Sequence, residues 1–92
     1  MNESFEGLRR LYRERASMHV CSLEKAFSDC DRQAITSIAH KLHGSGVSFG
    51  FPRITVLAQA LETASESGEP DNILRTLAEP LLAELTQIAQ AV

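Results

Sequence analysis

Apolar residues recur along the chain at steps of three and four, and they divide it into four amphipathic segments. The first carries Phe5, Leu8, Leu11, Tyr12, Ala16, Val20, Leu23, Phe27 and Cys30. One stripe sustained for about seven turns predicts a single long helix. The stretch SDCDR (28–32) breaks the pattern, and Asp31 suits the N-cap of a second helix through Ile35, Ile38, Ala39, Leu42, Gly46 and Phe49, which Gly50 ends. Pro52 fits the first turn of a third helix with Ile54, Leu57, Ala58, Leu61 and Ala64, and SGEPD (67–71) closes it. Asp71 is placed to cap a fourth, carried by Leu74, Leu77, Leu81, Leu85 and Ile88. Inside it Pro80 removes one backbone hydrogen bond and is expected to bend the helix.

Connections this short turn each helix back on the one before, so the expected architecture is all-α, an antiparallel up-down-up-down four-helix bundle forming one domain over residues 1–92. A chain of 92 residues supports one modest core and leaves no room for an enclosed enzymatic cleft, so any site lies on the surface. Aromatic residues make up 5% and Trp is absent, which favours a helical bundle over a sandwich. The net charge is −3, and eight of the nine Lys and Arg lie at or before Arg53, whereas residues 54–92 hold six acids against Arg75. Arg9, Arg10, Arg13 and Arg15 form a basic run, but the acidic total argues against a nucleic-acid backbone binder. Cys21 and Cys30 have neither metal spacing nor a disulfide framework. With no signal peptide and no long apolar run, the expectation is a soluble, reduced, cytoplasmic monomer that does not engage a membrane.

The stretch AHKLHGSGVSFG (39–50) concentrates the candidate chemistry. At about 100° per residue from a buried Leu42, Ala39, Gly46 and Phe49 fall on the inner face, while His40 lies near the middle of the solvent face. Gly44 is one turn beyond His40, Val47 is close by, and His43 stands to one side. Gly44 gives up about 1 kcal/mol of helix propensity relative to Ala. In return it leaves a bare surface beside an exposed imidazole, where another protein can bring a reactive group close. Gly46 points inward, where a missing side chain permits close helix packing. A phosphate-cradling loop fits badly, because the stretch lacks the Lys-Ser/Thr ending and follows a helical pattern rather than a strand. In an antiparallel hairpin turning at residues 50–52, opposing residue numbers sum to about 102, which sets Glu62 beside His40. His19, beside the apolar stripe of the first helix, reads as a structural core-edge histidine.

These residues carry a resemblance. AHKLHGSGVSFG followed by LAQALE (57–62), together with Asp31 nine residues before His40, resembles the histidine phosphotransfer (HPt) domain pattern of His-x-Leu-Lys-Gly-Ser, a later Phe/Leu-Gly and a helix ending in Leu-Glu. The similarity extends over essentially the whole chain. It implies that His40 exchanges a phosphoryl group with the aspartate of a response-regulator receiver domain, in a phosphorelay fed by a sensor or hybrid histidine kinase. It also implies that Gly44 clears the docking surface and that Glu62 accepts a hydrogen bond from His40 Nδ1–H, leaving Nε2 to react. The family's usual Lys three residues after the phospho-histidine, whose ammonium can neutralise the phosphoryl oxygens, is replaced here by His43. It takes the place of that phosphoryl stabiliser but donates a hydrogen bond when neutral and adds charge only when protonated, so its help should be weaker and more pH-dependent. Lys41 and Arg53 are the other cations available, although one-residue spacing aims Lys41 away from His40. The resemblance implies a phospho-carrier with no cofactor of its own, Mg²⁺ coming from the receiver.

Two other readings remain at this point. His40 and His43 at i, i+3 with Glu62 nearby form a weak metal site without a clear third and fourth ligand, so no metal is expected. Alternatively the bundle is a docking or scaffold module whose histidine is incidental. A self-sufficient kinase is the least favoured reading, because the chain has neither a nucleotide-binding loop nor room for one.

Overall fold

A computed structural model describes the backbone of residues 2–90 and the side chains of residues 6–90, so the expected inward position of Phe5 lies outside the described residues. Four helices account for nearly all of it: α1 (Asn2–Ser28), α2 (Arg32–Ser45), α3 (Pro52–Glu66) and α4 (Asp71–Gln90). No strand occurs among the described residues. Each helix packs against two others, α1 on α2 and α4, and α3 on α2 and α4, which closes a ring around one core. The long dimension of 43 Å is close to the length of α1 alone, 27 residues at about 1.5 Å each.

The apolar stripes meet as their periodicity requires. Tyr12, Ala16, Leu23, Ala26 and Phe27 of α1 are buried against Ile35, Ala39 and Leu42 of α2, Ile54, Ala58 and Leu61 of α3, and Leu74, Ala78, Leu81, Leu85 and Ile88 of α4. Each large aliphatic side chain so enclosed contributes about 1.5–3 kcal/mol. Two ends of the predicted α1 stripe depart from this. Leu8 and Leu11 remain substantially exposed. Cys30 is exposed because the helix has already ended: its φ of 54° is left-handed, while its amide bonds to Phe27 O and that of Asp31 reaches back to Ala26 O. This is the paired closure of a Schellman end, with a cysteine where glycine is usual.

Asp31 then caps α2, accepting a hydrogen bond from the Ala34 amide at 3.1 Å. Regular helix α2 stops at Ser45, four residues before the end its apolar pattern predicts. The cause is Thr55 of α3. Its Oγ1 donates to His43 O at 3.0 Å and accepts from the Val47 amide at 2.9 Å, standing where the direct Val47-to-His43 bond would form. Gly50 (φ 89°) closes the turn, with Phe51 N reaching back to Gly46 O. Pro52 opens α3 as expected, and Gly68 (φ 81°) terminates it in the same manner. At α4 the expectation is corrected: Pro70 O accepts the first helical bonds, from Ile73 N and Leu74 N, so Asp71 is the first residue of the helix rather than its cap. Asp71 instead receives Arg32 Nη1 at 3.2 Å, while Arg32 Nη2 donates to Glu69 O. Helix α4 runs through Pro80 to Gln90 without interruption.

At the opposite end, Tyr12 stacks on Phe49 and Phe51, with ring centroids 5.0 and 5.2 Å away, and shares a hydrogen bond with Ser45. The Arg9 guanidinium covers Phe51 at 4.9 Å. These contacts press the α2–α3 turn onto α1 and set the height at which α2 presents its outer face.

Candidate functional site

His40 stands on the outer face of α2 with 74% of its side chain exposed, and its Nδ1 lies 2.6 Å from Glu62 Oε2. His43, one turn further on, brings its own Nδ1 to 2.8 Å from Glu62 Oε1. One carboxylate from α3 therefore bridges two imidazoles of α2. The carboxylate is almost enclosed, with 12% of the Glu62 side chain exposed. The hydrogen bond from His43 holds the Glu62 carboxyl below its ordinary value; burial pushes the other way, and the bond from His40 and the positive charge the two rings can carry add to the depression. An ionised carboxylate has no proton to give, so both rings must donate. In its neutral form His40 would then carry its proton on Nδ1 and leave Nε2 with a free lone pair.

A short α2–α3 approach makes this geometry possible. Thr36 and Ser65 share a hydrogen bond below the carboxylate, and Thr55 is tied into α2 above it. Gly46 permits the contact: a Cβ there would meet Thr55 N at 2.7 Å and Phe51 O at 2.8 Å. Gly44 has the opposite surroundings, with nothing within 4 Å of a Cβ placed on it. The surface beside His40 is therefore open. Val47, 60% exposed, continues that surface toward the turn.

Neither of the two other basic residues named from sequence joins the histidines. Lys41 faces α1, where it lines a surface groove with Arg15, Met18, His19, Ser22 and Ile38. Arg53 Nε bonds Glu84 Oε1 of α4 at 3.1 Å. His19 packs beside Tyr12, and burial, followed by the charges of Arg15 and Lys41, holds its imidazole below the ordinary value. Among the described residues no group of three or more His, Cys, Asp or Glu is arranged to hold a metal ion, and no helix is long and apolar enough to cross a membrane.

Sequence reasoning missed two features, the second bond of Glu62 and the insertion of Thr55. The first was within reach, because His43 and Glu62 sum to 105, three residues or about one helical turn from the register that pairs His40 with Glu62, and the two oxygens of one glutamate span that turn. The second has a weaker signal, a β-hydroxylated residue opposite an inward glycine.

With this geometry in view, the comparison with protein families is decisive: the Hpt domain family model matches residues 7–91. The chain belongs to the HPt domain family, whose members are phosphocarrier modules in two-component signalling. Neither the curated proteins nor the solved structures compared with it gave a match.

Proposed function

We propose that this protein carries a phosphoryl group on His40, exchanging it with the aspartate of a response-regulator receiver domain. The observation that carries the assignment is the exposed His40 ring held through Nδ1 by the enclosed carboxylate of Glu62. In the forward step the Nε2 lone pair attacks phosphorus, the bond from phosphorus to the aspartyl oxygen breaks, and its electrons leave with the aspartate carboxylate. The ring is then substituted at both nitrogens and carries a positive charge. Glu62 stabilises that charge across the Nδ1–H bond, which is why an ionised carboxylate suits this position. The reverse step returns the phosphoryl group and restores the lone pair.

The receiver supplies the acyl phosphate, the acidic pocket and Mg²⁺, and this chain contributes the nucleophile. The docking face is the open surface over Gly44, with Val47 as an apolar contact and charges at its rim. A sensor or hybrid kinase is the other partner in the relay, and residues 1–92 act there as one HPt unit in the cytoplasm, a monomer without a nucleotide site. The pairing of Thr36 with Ser65, His40 with Glu62 and Val47 with Thr55 supports an antiparallel α2–α3 hairpin within an up-down-up-down bundle. The test is incubation with phosphorylated receiver domains, comparing the wild type with His40→Gln. Acid-labile phosphate is expected on the wild type alone; equal labelling of His40→Gln would exclude the assignment.

A further inference from the structure

Glu62 has two oxygens, and His40 uses one. The second is taken by His43, and that bond is the more sheltered of the two, since 35% of the His43 side chain is exposed against 74% for His40. Water competes less well for a shielded hydrogen bond, so the His43 contact is the firmer anchor of the carboxylate. The His43 backbone is itself pinned to α3, because its carbonyl accepts the Thr55 hydroxyl.

We propose that His43 is a positioning residue for phosphotransfer: by donating Nδ1–H to Oε1 it holds the Glu62 carboxylate aimed at His40, and so selects the His40 tautomer that can react. The proposal rests on His40 being the phosphoacceptor. Without the second bond, the three rotatable bonds of Glu62 leave its carboxylate free to swing toward water. His40 then loses the acceptor that keeps its proton on Nδ1. The depressed carboxyl of Glu62, for which the His43 bond is the largest cause, agrees with this order of importance.

The role differs from that of the lysine the resemblance leads one to expect. While neutral His43 donates from Nδ1, its Nε2 presents a lone pair, which repels phosphoryl oxygens rather than neutralising them. His43 therefore acts on the carboxylate behind His40, not on the phosphoryl group in front of it.

Two-bond ¹H–¹⁵N correlation spectra of the unphosphorylated protein near pH 8 test this directly. In the wild type both His40 and His43 are expected as Nδ1–H tautomers. His43→Leu should move His40 toward the Nε2–H form and slow transfer from a phosphorylated receiver about tenfold, about 1.4 kcal/mol in barrier. His43→Asn, whose amide N–H can replace Nδ1–H, should restore the tautomer and most of the rate. A wild-type His43 with its proton on Nε2 would overturn the proposal even if His43→Leu failed to fold. So would an unchanged His40 tautomer in folded His43→Leu. These readings need no phosphate, so their failure removes the positioning role alone, whereas phosphate on His40→Gln removes the acceptor assignment beneath it.

Discussion

Gly46 lies so close to Thr55 that a Cβ added to it would stand 2.5 Å from the Thr55 hydroxyl oxygen and 2.7 Å from the Thr55 amide nitrogen. Backbone is among the obstructing atoms, so no side-chain rotation relieves the contact. Gly46→Ala is therefore expected to destabilise the fold by roughly 1–3 kcal/mol, despite the better helix propensity of alanine. Gly44→Ala, with open space around the added carbon, is expected to stabilise it by up to about 1 kcal/mol. Urea denaturation of the two variants reads the contrast. Equal midpoints would mean that α2 and α3 do not meet as closely as Gly46 and Thr55 indicate.

A larger side chain at Gly44 separates access from folding. Gly44→Gln should keep or raise the stability while slowing phosphoryl exchange with a receiver about tenfold, equivalent to about 1.4 kcal/mol in the barrier. Rapid-quench transfer assays on the folded variant measure this. An unaltered rate would place the docking face away from Gly44.

The lowered carboxyl of Glu62 predicts a pH dependence of stability. The folded protein holds this group ionised more firmly than the unfolded chain does, so its contribution is present above the unfolded value and is lost as the pH falls through the folded one. The advantage of the wild type over Glu62→Gln in denaturation midpoint should therefore persist on the acid side of neutrality and shrink below the ordinary glutamate value of 4.5. A difference that grew as the pH dropped below that value would contradict the sign.

Cys30 occupies the left-handed position that ends α1, with φ 54°. An L-residue there bears a cost of about 1–2 kcal/mol that glycine avoids. Glycine also gives up more entropy on folding, so Cys30→Gly is expected to stabilise the protein by a net amount of about 0.5–1 kcal/mol. Thermal melts under reducing conditions give the value. Loss of stability would show that the cysteine side chain contributes more than its backbone costs.

Local rules determined a large share of this molecule from sequence alone. Four helices follow from apolar spacing, and the starts of α2 and α3 and the end of α3 follow from Asp31, Pro52 and Gly68, because capping and left-handed closure depend on residues only a few positions apart. The pairing of His40 with Glu62 was legible for a related reason: two helices joined by a short turn have a register set by counting. Tertiary structure decided what counting cannot reach. That α2 loses its regular ladder at Ser45 depends on a hydroxyl from another helix competing for Val47 N and His43 O, and that competition exists only at the approach Gly46 allows. The sharing of Glu62 between two histidines likewise depends on ångström-scale placement of a flexible side chain between rings. Hydrogen bonds form or fail over such distances, whereas the hydrophobic pattern that builds the helices tolerates them.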